Sequence, residues 1–430
     1  MNLVVRNARV IDPATGRDEI GDLWVIDGKF SEPPTVLPED LAEINGSGLV
    51  AAPGFIDMHV HLREPGQTGK ETIASGSRAA AAGGFTTVLA MPNTRPAVDS
   101  AGTARWILEQ AKRTACIRVL TSGALTIALK GEDLAPIGSL ANAGVTALTD
   151  DGSCVQNHEL MRRAVEYARM FQLPVLDHCQ DASLTVGAQV NEGKWSTRLG
   201  LPGWPSAAEE LIVSRNILLA ELCESPIHCQ HLSCAGSVQR LREARSRGAL
   251  VTGEICPHHI ALTDDAIQNF DTNAKMNPPL RTEADIEALL EGIADGTVSI
   301  LCSDHAPHSQ AEKEVEFDRA PFGIVGLETE VGLFLDLLIH KRKVIDLPRL
   351  VAMFTIEPAR LLNLQLGTLT VGQPGDVTLL DLNHEWVVDA EAFETSGRNT
   401  PFHGREMKGR PVRTIKAGRT VWSLDGGICL

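Results

Sequence analysis

Eight short apolar or β-branched runs lie between residues 55 and 304, and their number and spacing constrain the fold more than any other feature of this 430-residue chain. They are Phe55 to His61, Thr86 to Met91, Arg118 to Gly123, Val145 to Asp150, Pro174 to Cys179, Pro226 to His231, Leu250 to Ile255 and Val298 to Asp304. Between them stand helical patterns rich in Ala, Leu, Glu and Arg, such as Ser100 to Arg113, His158 to Phe171, Ser206 to Cys223 and Glu283 to Ile293. Strands alternating with helices imply parallel strands joined by right-handed crossovers, and eight such units close into a barrel. An open doubly wound sheet is the competing arrangement.

The two ends of the chain have another texture. Residues 1 to 50 contain Leu3-Val4-Val5, Ala8 to Asp12 and Asp22 to Gly28, short strands with turn residues between, and Gly375 to Asp381 and Val412 to Gly418 read alike. The predicted fold class is therefore α/β: a (β/α)8 TIM-type barrel over residues 53–364, with residues 1–52 and 365–430 folding together into one small β-sandwich. A chain with 43% hydrophobic and 22% charged residues can bury a core of that size.

The formal charge of −16 and the lack of a Lys/Arg-rich run argue against a nucleic-acid or anionic-membrane surface. Single cations remain free to grip an acidic substrate. Nine cysteines without a C-x-x-C pair, four of them in apolar strand-like runs, suggest reduced thiols and a cytoplasmic protein. Neither an export signal nor a membrane span is expected.

Chemistry enters at the strand ends. In an extended strand residues i and i+2 share a face, so His59 and His61 aim their imidazoles at one point, as metal ligands do. In a barrel of this kind the C-terminal ends of the strands share one mouth, which adds Asp151 after strand four, His178 after five, His231 after six and Asp304 after eight. Alone, His178 or His231 would more often be a hydrogen-bonded core histidine, and Asp151 a helix N-cap beside Gly152 and Ser153. Together, four His and two Asp exceed the three protein ligands of one catalytic zinc but suffice for two ions if Asp151, with two oxygens, bridges them. Asp304, beside such ions, can also shuttle a proton.

The stretches His59-Val60-His61-Leu62-Arg63-Glu64-Pro65-Gly66, Met91 to Thr94, Thr149 to Gly152, Met276 to Arg281, Ser303 to His308 and Ala320 to Thr329 resemble the amidohydrolase superfamily, and within it the dihydroorotases of the class I bacterial type. The resemblance implies zinc-dependent, reversible cyclisation of N-carbamoyl-L-aspartate to L-dihydroorotate in pyrimidine synthesis, with hydroxide held by the metal and Asp304 as general acid and base. It implies one zinc on His59, His61 and Asp304 and a second on His178 and His231, with Asp151 shared; some relatives hold a single zinc. Arg63, Asn93 and Asn277 would bind the substrate carboxylate and ring edge, His308 would hydrogen-bond substrate, His61 would border it, and Phe322 and Gly323 would supply backbone contacts. A guanidinium fork at Arg63 matches a carboxylate on physical grounds too. A homodimer is the family expectation, with aspartate transcarbamoylase as a second candidate partner.

Two rivals remain at this level. A hydantoinase- or allantoinase-type enzyme shares the barrel, but the fourth-strand region has no lysine to bridge metals, and the only tyrosine, Tyr167, lies mid-helix. An inactive structural partner of aspartate transcarbamoylase would lack several ligands, whereas all six are present. His258 and His259 suit a role behind the ligands or at a helix start, and His158 and His340 suit the surface or packing. Gly83-Gly84 reads as a helix-ending turn. Residues 305–322, rich in charge, read as a long polar loop over the site that orders on substrate binding.

Overall fold

The computed structural model describes residues 1–429. Eight parallel strands, Phe55–Val60, Phe85–Ala90, Arg118–Gly123, Ala147–Leu148, Val175–Asp177, Ile227–Cys229, Val251–Ile255 and Ile300–Leu301, pair in chain order. A parallel bridge from Val60 to His305, with His61 N–H donating to His305 O at 2.8 Å, joins the last strand to the first and closes the barrel. Each predicted run overlaps one strand, the second strand starting one residue earlier than its run, at Phe85. The fourth and the eighth are the shortest, two residues each; after the fourth the chain turns from Thr149 into the mouth, where Asp150 accepts from Leu125 N and Thr126 N.

Helices between the strands start where the sequence offers caps. Ser100 caps Ala101–Thr114, Asn157 caps His158–Arg169, and Thr282 with Asp285 forms a capping box on Glu283–Ala294. Their apolar faces and the outward strand residues make one continuous core, at whose base Phe55 stacks on Phe354 with ring centroids 5.0 Å apart.

Both chain ends enter a single nine-stranded sheet beside the barrel. Val50–Pro53 is its seam, pairing in parallel with Leu3–Asp12 and antiparallel with Val377–Val387, and Leu3, Val10, Leu23, Val25, Val377, Leu379 and Ile415 share one buried cluster. Hydrogen bonding makes this one sheet around a common core. The runs Leu3-Val4-Val5 and Ala8 to Asp12, which read as separate, fuse into one strand with a bulge at Asn7, whose φ of 54° suits an Asn. From Pro53 the chain passes through Gly54 directly into the first barrel strand; a side chain at Gly54 would collide with Thr86. Arg118 of the third barrel strand pairs with Asp376 at 2.8 Å, tying the sheet to the barrel. We propose residues 1–52, 53–364 and 365–430 as the corresponding divisions of the chain.

All nine cysteines are free thiols. No helix among the described residues is long and apolar enough to cross a membrane.

Candidate metal centre and substrate pocket

The strand ends bring His59, His61, Asp151, His178, His231 and Asp304 to one mouth, and all six are buried. Asp151 stands at the centre. Its Oδ1 lies 3.3 Å from His59 Nε2, 3.6 Å from His178 Nδ1 and 3.8 Å from His231 Nε2, and its Oδ2 lies 3.5 Å from His61 Nε2. Asp304 Oδ1 is 3.1 Å from His61 Nε2 and 3.5 Å from His59 Nε2. The donors therefore fall into two sets, His59–His61–Asp151 and Asp151–His178–His231, which share one carboxylate.

Two of these atoms, His59 Nε2 and Asp151 Oδ1, are buried without a hydrogen-bond partner. A buried polar atom left unmade costs about 1–3 kcal/mol, so a constellation that leaves two facing each other is built for another occupant. Imidazole nitrogen and carboxylate oxygen are the donors zinc takes, and the residues fit such an ion.

The outer ring nitrogens are held so that the inner ones can ligate. His59 Nδ1 meets Glu254 Oε1 at 2.6 Å, His61 Nδ1 meets Asn93 Oδ1 at 2.9 Å, and His178 Nε2 meets Gln180 Oε1 at 2.9 Å. Each oxygen keeps the proton on the far nitrogen and the lone pair turned inward. Burial opposes the charge of Asp151 and Asp304, but His59 with the neighbouring imidazoles outweighs it and holds both carboxyls well below their usual range. For His59 burial also opposes charge, and Asp151, Glu254 and Asp304 prevail and raise it, so that a metal ion bound there would take the place of the Nε2 proton. The site thus gathers ionised, acceptor-only carboxylates at its centre.

Backbone strain concentrates here as well. Arg63, His231 and Asp304 have φ of 58°, 32° and 46°, left-handed values that non-glycine residues keep only where the surroundings hold them.

Above the ligands lies a cavity of about 180 Å³, lined by Arg63, Asn93, Asn277, His308, Phe322 and Gly323 together with every ligand candidate except His59. His59 is seated underneath. Arg63 donates from Nε to Pro307 O at 3.2 Å, and burial pushes its guanidinium down from its usual value. Asn277 donates to Gln180 Oε1 at 3.2 Å and leaves its own Oδ1 buried and unpartnered. Asn93 spends its oxygen on His61, a ligand-orienting contact the sequence did not suggest. Both nitrogens of His308 are engaged, Nε2 with Phe322 O at 2.8 Å and Nδ1 with Lys70 Nζ at 3.4 Å, so a substrate contact there must replace one of them. Burial, then Arg63, Lys70 and Lys313, push His308 down to about 3, and the ring is neutral at pH 7. Gly323 has φ of 114°, and a Cβ there would lie 2.7 Å from that of Ala306.

Residues 305–322 form a mostly irregular segment with Glu314, Glu316, Asp318 and Arg319 exposed, as a polar loop would, but its inner side is anchored. Gln310–Lys313 is a short helix, and the buried Lys313 donates to Thr272 O and Pro321 O, both at 2.9 Å. Lys275, also buried, donates to Phe317 O at 2.6 Å. Two lysines that look solvent-seeking in sequence instead satisfy backbone carbonyls and pin the wall that carries Phe322. His258 and His259 are buried at the start of a short helix, with His259 Nε2 3.0 Å from Pro278 O and neither in the Asp151 sets. His158 is exposed and His340 partly so. Glu254, Gln180, Lys70 and Gln230, whose Nε2 lies 3.3 Å from His59 Nδ1, were missed; only Glu254 left a signal, a lone carboxylate in the buried strand Val251–Ile255.

Comparison with known proteins adds sequence and fold relatives. Residues 48–237 match the Dihydro-orotase-like family. The chain is 48% identical to a dihydroorotase of Citrifermentans bemidjiense over 98% of this chain and 100% of that one, and 46% identical to dihydroorotases of Solibacter usitatus and Pelotomaculum thermopropionicum over 98% of each chain. Among solved structures, the L-hydantoinase of Arthrobacter aurescens superposes with a TM-score of 0.88 over 100% of this chain and 97% of its own, at 23% identity. A dihydropyrimidinase from Brevibacillus agri gives 0.81 at 22%, covering 98% and 95%. At that identity the likeness concerns the fold.

Proposed function

The chain belongs to the dihydroorotase family, hydrolases of cyclic-amide C–N bonds, and on that premise we propose that it interconverts N-carbamoyl-L-aspartate and L-dihydroorotate at a zinc centre built from His59, His61, Asp151, His178, His231 and Asp304. Family membership implies a place in pyrimidine biosynthesis. The observation that carries the zinc reading is the single buried carboxylate, Asp151, facing imidazoles from both donor sets with one oxygen unpartnered.

His59, His61 and Asp304 would hold one ion and His178 and His231 the other, with Asp151 common to both. Zinc bound there would supply Lewis acidity toward the amide carbonyl and make water acidic enough to attack near neutral pH. The remaining work belongs to the protein. Arg63 fixes the substrate carboxylate with its forked donors, in a wall dry enough to strengthen the pairing. Asn277 presents its unpartnered Oδ1 to a ring N–H. The Phe322–Gly323 backbone, with no Cβ at Gly323, lets the flat ring approach closely. Asp304, ionised and at the edge of the pocket, takes the proton of the attacking water and delivers it to the ring nitrogen as the C–N bond breaks. In the cyclising direction it removes that proton from the carbamoyl nitrogen.

The test is hydrolysis of L-dihydroorotate by zinc-reconstituted protein, followed by ultraviolet absorbance beside dihydrouracil and hydantoin. The reading expects turnover of dihydroorotate far above the two rings that lack a carboxylate. Equal or reversed preference would overturn it.

A further inference from the structure

Behind the ligands lies a buried polar chain that the reaction itself does not use. Glu254 is fully buried on the seventh barrel strand, and both of its oxygens are occupied. Oε1 accepts from His59 Nδ1 at 2.6 Å and from the backbone N–H of His231 at 3.2 Å. Oε2 meets His228 Nε2 at 3.1 Å, and His228 Nδ1 continues to Thr252 Oγ1 at 2.7 Å. One carboxylate oxygen thus touches a ligand from each donor set.

The two contacts do different things. At His59 the carboxylate holds the proton on Nδ1, so that Nε2, the unpartnered atom, keeps its lone pair toward Asp151. At His231 it ties down a main-chain N–H in a residue whose φ of 32° is costly for a β-carbon-bearing side chain. Without that bond the residue would relax, and its Nε2 would leave its place 2.7 Å from His178 Nδ1. His228, anchored by Thr252, fixes the carboxylate from behind. A buried carboxylate held by three hydrogen bonds across both of its oxygens is rigid, and a rigid group touching two sites couples them.

We propose that Glu254 is a positioning residue that couples the two metal sites, so that the geometry of one site depends on the same carboxylate as that of the other. The proposal rests on the zinc reading above.

The experiment is a zinc titration of chelator-stripped protein against a chromophoric competitor, for wild type, Glu254→Gln and Thr252→Val, with metal content measured directly. Wild type should take up two zinc ions. In Glu254→Gln the amide keeps the volume, loses the charge and can turn an N–H toward His59, and both binding steps should weaken by about 10- to 100-fold. Thr252→Val, similar in volume and outside the ligand set, removes only the anchor of His228 and folds more readily; both steps should weaken by about fivefold, the worth of one hydrogen bond. The visible band of the cobalt-substituted protein should shift in Glu254→Gln, because a changed ligand field, unlike a merely less stable fold, moves that band. Wild-type affinities in either variant, or a loss confined to one step, would overturn the coupling. Wild type that binds no zinc would instead overturn the metal reading and take this inference with it.

Discussion

Replacing Arg63 by Met removes the one cation that the pocket offers to a substrate carboxylate while keeping most of the side chain's length and volume. The guanidinium is largely buried, donates only to Pro307 O, and is pushed down by burial, so its charge already sits at a disadvantage that an anionic ligand would relieve. A charge-assisted hydrogen bond is worth about 1.5–3 kcal/mol, and a forked pair in a dry wall falls at the upper end. A loss of about 3 kcal/mol corresponds to about a hundredfold in kcat/KM for dihydroorotate. Steady-state kinetics with dihydroorotate and with dihydrouracil, which lacks the carboxylate, separate this from general damage. The variant should lose the hundredfold on the first and change little on the second. An unchanged kcat/KM for dihydroorotate, or an equal loss on both substrates, would refute the assignment of Arg63.

Further perturbations probe the wall and the metal. Gly323→Ala forces a Cβ toward Ala306 at φ of 114°, a strain of about 1–3 kcal/mol, and should raise KM more than it lowers kcat while reducing the melting temperature. Lys313 titrates near 7 because burial, and then Lys275, oppose its charge. Its folded value lies below its unfolded one, so the folded state binds fewer protons between about pH 7 and 10.5, and its contribution makes stability rise with pH across that window. Denaturant midpoints of wild type minus Lys313→Met should show that slope; a difference that is flat or falls with pH would contradict it. Stripping the metal should abolish turnover and lower the melting temperature, and adding back zinc at 100 times its dissociation constant should restore about 2.7 kcal/mol of stability. Loss of activity without loss of stability would count against ligands gathered from five separate strand ends.

The barrel was legible because its signal is local and repeated: each run from Phe55 to His61 through Val298 to Asp304 is apolar, short and followed by a helical pattern. The mouth was legible for the same reason, since placing a residue at a strand end requires only the strand. What stayed hidden is contact between residues far apart in sequence. Nothing in Val251–Ile255 says that Glu254 faces inward to His59, 195 positions earlier. Lys275 and Lys313 carry the residue type of a solvated face, and the carbonyls of Thr272, Phe317, Asp318 and Pro321 explain their burial. The motif resemblance that marked Asn93 and His308 as substrate contacts did not imply the partners they hold within the protein, His61 for the first and Phe322 O and Lys70 for the second. The bulge at Asn7 merged two runs because a single left-handed residue leaves strand direction intact.

The central claim is that a zinc centre and an ionised Asp304 act together on a cyclic amide. Its most direct test is dihydroorotate hydrolysis by zinc-loaded wild type and Asp304→Asn, with bound zinc measured in the same samples. The account predicts that the Asn variant retains metal through Asp151 and the four histidines yet loses at least about a hundredfold in kcat, the contribution of a positioned acid–base group. Wild-type turnover in a metal-replete Asp304→Asn protein would contradict it.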